Sequence, residues 1–599
     1  MKTNKLFLTL LAFACTSFYA CSSSDDDVAE TGSGPGVETG DITEGSRFMT
    51  VQIVNPAGTK AVTDGGNAKG TDDENKVNTL RFYFFDDNDA PITVNATAAY
   101  GNNKNFVDAK KEDIIPAGES MPNVEKIIKA TIVINTKTGD NINVKKIVAV
   151  ANHDVAALGD EPKSLADLCA VIGDYSNISQ TVKDAETKED VTTDDNFLMT
   201  SSSYAGADGQ VTAVAIEPGN LCNTKEAAEA NPVNIYIERV VAKVKMDINW
   251  NASIETDDVT FEGKTVKAVK LKDGANYVTV NVDGTDKQLY VIFNKWDVTG
   301  TAPESYLIKK VGSTTAWNGL FTGWNAPTFF RSYWAENTAG VTNTTIKHFK
   351  YNEIGQDFKT GYVYCLENAG DAGAADGSKT VYDPKTTITN RTQAIIAATM
   401  VTVDGGVATA LGLVNFGGAY YKEDGAKATI LEFLPSKIYK DAAKTTKISA
   451  SDVEFVTATK AGAADAASET SPRYFSYLQL TSTAESKTYY DEKGEALNTT
   501  DVNNMLKSLP GTKVWHEGRT YYYTDIEHFG ADDAKGKYGV VRNHVYDINL
   551  TSVKGMGTPV LDPTEVIVPQ HPENVDTYIA AQINILSWRI VKQDVSLEW

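Results

Sequence analysis

The sequence has few of the residues that build metal sites, disulfide frameworks or nucleic-acid surfaces. Its 599 residues include five cysteines and six histidines, and neither type shows metal-ligand or Cys-x-x-Cys spacing. Lysine and arginine total 56 against 79 aspartates and glutamates, for a formal net charge of −23. Because nucleic-acid binding needs a basic surface, this balance argues against a nucleic-acid partner.

Enzyme motifs are also missing from the sequence. It has neither a Gly-x-Ser-x-Gly elbow nor a phosphate-binding loop, and its acidic runs lack the full calcium-loop pattern. We therefore expect a non-enzymatic protein without catalytic residues, cofactor or metal. Cys169, Cys222 and Cys365 are expected to be small buried side chains.

The first twenty residues carry the pattern of an export signal. Two lysines precede the apolar run LFLTLLAFA, and small residues lead to Cys21; the run is too short to span a membrane. Ala20, Cys21 and the acidic SSSDDD that follows resemble a lipoprotein signal, so residues 1–20 are predicted to be removed and Cys21 lipidated. Cys15 is a competing lipidation site, and a plain secretory signal is the alternative. Residues 21–46 are acidic and Gly/Ser-rich, which predicts a disordered tether.

The rest of the chain is rich in residues that favour β-structure. Alternating runs of Val, Thr, Ile, Tyr and Phe recur between Gly, Asn and Asp turns. Helical patterns are short, near residues 163–173 and in KEAAEAN. This predicts an all-β protein with two tandem Greek-key, transthyretin-like β-sandwiches, at residues 61–250 and 251–560.

The first strand is followed by a segment suited to proteolysis. RFMTVQIV alternates so that Met49, Val51 and Ile53 share one face. The polar loop behind it carries Lys60 before Ala61, and an exposed basic residue in such a loop is where a trypsin-like protease cuts. Residues 47–60 are therefore either a removable strand or an ordinary first strand with its loop.

The chain closes with a Pro-rich arm and an alternating strand, at residues 561–599. Pro563, Pro569 and Pro572 predict a stiff, extended spacer. The apolar residues of the strand come in runs with doublets that suit bulges: Ile583, Ile585, Leu586, Trp588, Ile590, Val595 and Leu597. Such a strand either joins its own sheet or reaches into another molecule.

Several of these pieces together resemble a known family. They are the lipoprotein-like start, RFMTVQIV with its Lys-Ala pair, IERVVAKVKM, YGVVRNHVYDINLTSVKGMGTP and the arm ending in INILSWRIVKQDVSLEW. The chain resembles the type V pilins, the fimbrillins of surface fimbriae, and most closely the shaft subunits of the short (minor) fimbria type.

The resemblance implies a mechanism of assembly. Subunits of this family are exported to the outer membrane as lipoproteins, and a surface trypsin-like protease then cuts behind the first strand, here at Lys60-Ala61. The C-terminal strand of a neighbour fills the groove, a form of β-augmentation, and head-to-tail repetition gives an open filament. Implied partners are copies of the chain, anchor and tip subunits and the protease, in an adhesive fimbria on the cell surface.

Two other functions fit parts of the sequence. A monomeric glycan-binding surface lipoprotein would use an aromatic cluster, although we favour core packing for its members: Trp317, Trp324, Phe329, Phe330, Tyr333 and Trp334. The second alternative function is that of an anchor or tip accessory subunit of a fimbria. His516 and Glu517 are expected in a surface loop, and His544 in a packed or edge-facing strand.

Overall fold

The computed structural model describes part of the chain, and every structural statement below refers to that part. The described ranges are 47–56, 70–94, 104–109, 114–116, 124–134, 143–153, 158–159, 161–176, 181–183, 190–192, 197–250, 254–273, 276–282, 285–312, 325–338, 345–368, 391–462, 475–528, 538–553, 555–568, 578–580 and 589–598.

The first region consists of strands with two short helices. The strands are β1 (Arg47–Pro56), β2 (Leu80–Phe85), β3 (Phe106–Ala109), β4 (Ile115–Pro116), β5 (Val124–Ile134), β6 (Lys146–Ala151), β7 (Ile172–Gly173), β8 (Thr181–Lys183), β9 (Asp190–Thr192), β10 (Met199–Ser201), β11 (Tyr204–Ala205), β12 (Gln210–Val211), β13 (Val214–Ala215) and β14 (Val233–Arg239). The helices are α1 (Leu165–Cys169) and α2 (Lys225–Ala230). Both helices fall where the sequence predicts them, and Ser164 and Thr224 cap their N-termini.

One sheet organises this region. Its strand order is β3-β2-β6-β10-β14-β1-β5-β4, and β13 pairs with β6. Apolar side chains from both halves of the sheet share one core, to which Met49, Phe82, Ile132, Ile147 and Ile235 contribute. Strand β1 therefore lies inside the sheet, and its side chains Met49 and Val51 belong to this core.

The second region begins one residue after β14 ends. Its strands up to residue 410 are β15 (Val241–Ile248), β16 (Thr256–Phe261), β17 (Lys264–Lys270), β18 (Lys272–Asp273), β19 (Asn276–Tyr277), β20 (Thr279–Val282), β21 (Thr285–Gln288), β22 (Tyr290–Thr299), β23 (Ser305–Tyr306), β24 (Asn325–Ala326), β25 (Arg331–Ser332), β26 (Tyr362–Leu366), β27 (Gln393–Asp404) and β28 (Val407–Ala410). The change of sheet at Val240 lies close to the predicted domain boundary at residue 250, which itself stays a prediction.

An insertion and the C-terminal strands complete the chain. The insertion comprises β29 (Leu413–Phe416), β30 (Ala419–Lys422), α3 (Glu423–Leu431), β31 (Val453–Thr457), α4 (Ala458–Ala461), β32 (Phe475–Leu480), α5 (Ser482–Glu485), β33 (Tyr489–Tyr490), β34 (Ala496–Leu497), α6 (Thr499–Lys507) and β35 (Thr512–Trp515). The last strands are β36 (Arg519–Asp525), β37 (His544–Val553), β38 (Thr558–Pro559), β39 (Tyr578–Ala580) and β40 (Arg589–Glu598).

Two sheets of the second region enclose a common core. One has the order β26-β15-β37-β40-β39, and the other β22-β17-β16-β28-β27-β36-β38, with an additional β22–β27 pairing. Val244 and Ile548 from the first and Trp296, Ile396 and Tyr522 from the second lie in one cluster. This face-to-face arrangement and the scarcity of helix confirm the predicted all-β class.

The insertion has a core of its own. Its sheet has the order β30-β29-β35-β32-β31, and helices α3 and α6 cover it with buried Ile430, Val502 and Leu506. Sequence reasoning predicted only a continued β pattern here, so these two helices are an addition to it. No helix in the described ranges is long and apolar enough to cross a membrane.

Candidate functional site

Strand β1 is paired along both of its edges. It runs parallel to β14, with Val51 opposite Val233, and antiparallel to β5, with Val51 opposite Ala130. A strand in this position satisfies its own backbone groups and those of two neighbours. Its loss would leave two strand edges without partners in the middle of a sheet.

The side chains of β1 differ between its two faces. Met49 and Val51, both predicted for the removable strand, are fully buried in the core. The third, Ile53, lies opposite Ile128 in the backbone register. On the other face Thr50 is also fully buried, and its hydroxyl lies 2.9 Å from that of Thr131.

Two further elements hold β1 from outside its two ladders. The backbone of Phe48 donates to the Cys222 carbonyl at 2.8 Å and accepts from the Cys222 amide at 2.9 Å. Helix α2 also packs against β1. Cys222 is partly exposed, whereas the sequence predicted a buried side chain.

The predicted cleavage pair, Lys60 and Ala61, lies outside the described residues, and so does the predicted lipidation site Cys21. The described part of the chain resumes at Gly70, and buried contacts hold it a few residues later. Glu74, which is 3 % exposed, accepts hydrogen bonds from Lys243 at 2.6 Å and from the Tyr364 hydroxyl.

These contacts also determine the protonation state of Glu74. Burial alone raises the pKa of this carboxyl, but the hydrogen bonds from Lys243 and Tyr364 outweigh it and hold the pKa below its usual value. The backbone carbonyl of Glu74 accepts from Arg239 Nε at 2.7 Å. The chain that follows the predicted cut is therefore fixed to the junction of β14 and β15.

Strand β40 is seated in the sheet of its own chain. It pairs in parallel with β37, from His544 opposite Arg589 to Val553 opposite Leu597, and antiparallel with β39 over three residues. Of the predicted donor residues, Ile590, Val595 and Leu597 belong to β40. The others, Ile583, Ile585, Leu586 and Trp588, lie outside the described residues.

The segment around Arg542 explains why YGVVRNHVYDINL contains charges inside a strand pattern. Arg542 is fully buried and forms an ion pair with Glu367, while it donates to the Leu307 carbonyl at 2.9 Å. Asn543 accepts from Arg239 Nη1 at 2.9 Å.

A second buried pair joins Lys309 to Glu238 at 2.7 Å. Sequence reasoning missed these pairs; charged residues within strand runs are the signal that could have indicated them.

Two histidines lie close together in this core. The rings of His528 and His544 lie 5.0 Å apart, and His528 bonds the Tyr546 hydroxyl at 2.8 Å and the Tyr333 carbonyl at 2.6 Å. Burial and the nearby positive charges lower the pKa of His544 well below its ordinary value. Among the described residues, no group of three or more His, Cys, Asp or Glu could hold a metal ion.

The predicted aromatic cluster is divided in the structure. Tyr333 and Trp334 are buried, in agreement with core packing, and Phe330 is only partly exposed. Trp317 and Trp324 lie outside the described residues. Phe329 ends a short 3-10 helix, and His516 pairs with Glu423 on the surface of the insertion.

The C-terminal part of the chain matches a family model. Residues 513–594 match the model described as "Major fimbrial subunit protein type IV, Fimbrillin, C-terminal". These residues include β36 to β39 and most of β40. This part of the chain is therefore similar to the C-terminal part of a fimbrillin.

Solved structures with a similar arrangement include two fimbrial proteins. A fimbrial assembly protein from Parabacteroides distasonis is 10% identical over 63% of this chain and 85% of its own, with a TM-score of 0.26. The C-terminally truncated tip fimbrial protein Mfa3 from Porphyromonas gingivalis is 11% identical over 62% of this chain and 83% of its own chain, with a TM-score of 0.25. No curated protein sequence matches this chain.

Proposed function

We propose that this protein is a fimbrillin and serves on the cell surface as a shaft subunit of the short fimbria type, exported as a lipoprotein through Cys21 and polymerised by strand exchange. Proteolysis at Lys60-Ala61 separates β1 from the rest of the chain. The C-terminal strand of a neighbouring copy then takes the place of β1. Repetition of this contact builds a filament that supports adhesion.

The proposal rests on one observation, which is that β1 and β40 have neighbours of the same two kinds. Strand β1 has a parallel neighbour, β14, and an antiparallel neighbour, β5. Strand β40 also has a parallel neighbour, β37, and an antiparallel neighbour, β39. A strand that already satisfies one parallel and one antiparallel edge suits a groove that offers the same two edges.

The physical drive for exchange comes from what the departure of β1 exposes. The core positions of Met49 and Val51 would open to water, and each such apolar side chain is worth roughly 1.5–3 kcal/mol when fully buried. The facing edges of β5 and β14 would lose their hydrogen-bond partners. An incoming strand restores both contributions, which makes the product stable and slow to dissociate.

The proposal is tested by assembly of the purified full-length chain after treatment with a trypsin-like protease. Wild type should form ladders that resist sodium dodecyl sulfate, whereas Lys60→Ala or deletion of residues 578–599 should leave monomers. Lys69→Ala, a change in the same loop, is the matched control and should assemble normally. Ladders from the truncated chain would refute strand exchange. Mass spectrometry of the mature N-terminus on cells tests lipidation and cleavage together.

A further inference from the structure

The β1 groove has position-specific requirements that a replacement strand must meet. Met49 and Val51 occupy fully buried apolar positions, opposite Ile132 and Ala130 of β5. Thr50 lies between them, fully buried on the other face. The groove therefore demands an apolar residue on each side of a small one.

The position of Thr50 is the most restrictive of the groove. Its hydroxyl lies 2.9 Å from the Thr131 hydroxyl, and α2 packs against the strand. A long side chain would not fit this fully buried position, and an apolar one could not take the hydrogen bond. A serine or threonine is the residue type that meets both conditions.

The next position adds a requirement on charge. Gln52 is 8 % exposed and lies directly opposite Lys129 of β5. Directly opposed residues in an antiparallel pair are close enough for opposite charges to attract and for like charges to repel. An acidic residue would therefore be favoured at this position, and a basic one would be disfavoured.

The C-terminal strand contains the required order of residue types twice. Within residues 578–599, an apolar residue, a serine, an apolar residue and a charged residue follow one another at 586–589 and at 595–598. In the first set the charged residue is Arg589, which would face Lys129 with a like charge. In the second it is Glu598, which would face Lys129 with the opposite charge.

We infer that Val595, Ser596, Leu597 and Glu598 of one copy replace Met49, Thr50, Val51 and Gln52 of the next, and that Thr131 and Lys129 select this register. The order of residues is preserved because the incoming strand runs parallel to β14, as β1 does. All four replacing residues belong to β40. This register rests on the proposed strand exchange and adds to it the side chains that align the two copies.

Cysteine cross-linking in the full-length chain tests the register. Thr131→Cys combined with Ser596→Cys should give ladders joined by disulfides after protease treatment and mild oxidation, visible on a non-reducing gel after boiling. Thr131→Cys combined with Ser587→Cys is the matched control for the other register and should stay uncoupled. Thr131→Cys alone controls for the native cysteines.

Charge reversal provides an independent test of the same register. Glu598→Lys should slow ladder formation by about threefold to tenfold, because attraction to Lys129 becomes repulsion. Combining it with Lys129→Glu should restore the wild-type rate. An unchanged rate in the single variant, or no recovery in the double variant, would contradict the role of Lys129.

The outcomes separate this inference from the proposal beneath it. If wild type forms ladders but the 131–596 pair does not cross-link, or the 131–587 pair does, the register is wrong and strand exchange stands. If wild type forms no ladder after cleavage, strand exchange itself fails, and the register fails with it.

Discussion

Strands β1 and β40 each have one parallel and one antiparallel neighbour, but the lengths of their ladders differ. β1 pairs with β5 along nearly its whole length and with β14 over four residues, and it places Met49 and Val51 in the core. β40 has one long ladder, with β37, and a three-residue ladder with β39 in the described part of the chain. Release of β40 would therefore break one long and one short ladder, whereas release of β1 would also expose the buried positions of Met49 and Val51.

The largest expected effect is on the free energy of local opening of β1. Met49→Ala in the uncut chain should lower the free energy of local opening by about 3 kcal/mol, because a fully buried side chain leaves a cavity. Hydrogen exchange of the β1 and β5 amides measures it. Val407→Ala, at a position 54% exposed, is the control and should change stability by less than about 0.5 kcal/mol. Equal effects would mean that core burial does not hold β1.

A second prediction concerns the chain that must stay when β1 leaves. Glu74→Gln removes the charge that binds Lys243 and should destabilise the anchor by about 1.5–3 kcal/mol. Faster hydrogen exchange over residues 70–78 of the cut protein would report the loss. The exposed neighbour Asp73 offers Asp73→Asn as a control with little effect. If both variants exchange alike, Glu74 does not anchor the new N-terminal segment.

The smallest effect concerns β37, the strand on which β40 rests. His544, its first residue, stays neutral in the folded chain because burial and the charges of His528, Arg331 and Lys309 lower its pKa. In the unfolded chain the His544 imidazole takes up a proton as the pH falls below about 6.5. Stability is therefore present above that pH and is lost below it, by at most about 1.4 kcal/mol per pH unit.

Denaturant unfolding at pH 7.5 and pH 5.5 measures this dependence. His544→Gln should reduce the loss of stability between the two pH values. A pH dependence that survives His544→Gln would assign the proton to another group.

The parts of the fold that depend on local pattern were predictable from the sequence. RFMTVQIV alternates and forms β1, and KEAAEA behind Thr224 forms α2 with that threonine as its cap. The insertion was not predictable in the same way. Its helices α3 and α6 are nine residues each, and their helical character depends on packing against a sheet rather than on strong local preference.

The candidate site was predictable only as two separate segments. Alternation indicated that Met49 and Val51 share a face, but not that Thr50 on the opposite face is also buried and bonded to Thr131. The hydrogen-bond partners of Arg239 could not be predicted from the sequence either, since Asn543 lies 304 residues away. Such contacts depend on which strands become neighbours, and that information is not local.

The sequence by itself determined the all-β class, the alternating pattern of the first and last strands and the net negative charge, because periodicity and charge are properties of the chain alone. Only the tertiary structure decided that β1 lies between a parallel and an antiparallel neighbour, and that β40 has neighbours of the same two kinds. It also decided that Lys129 faces the position of Gln52. The reason is that register arises from strand pairing between distant segments, where a shift of one residue exchanges the two faces of a strand.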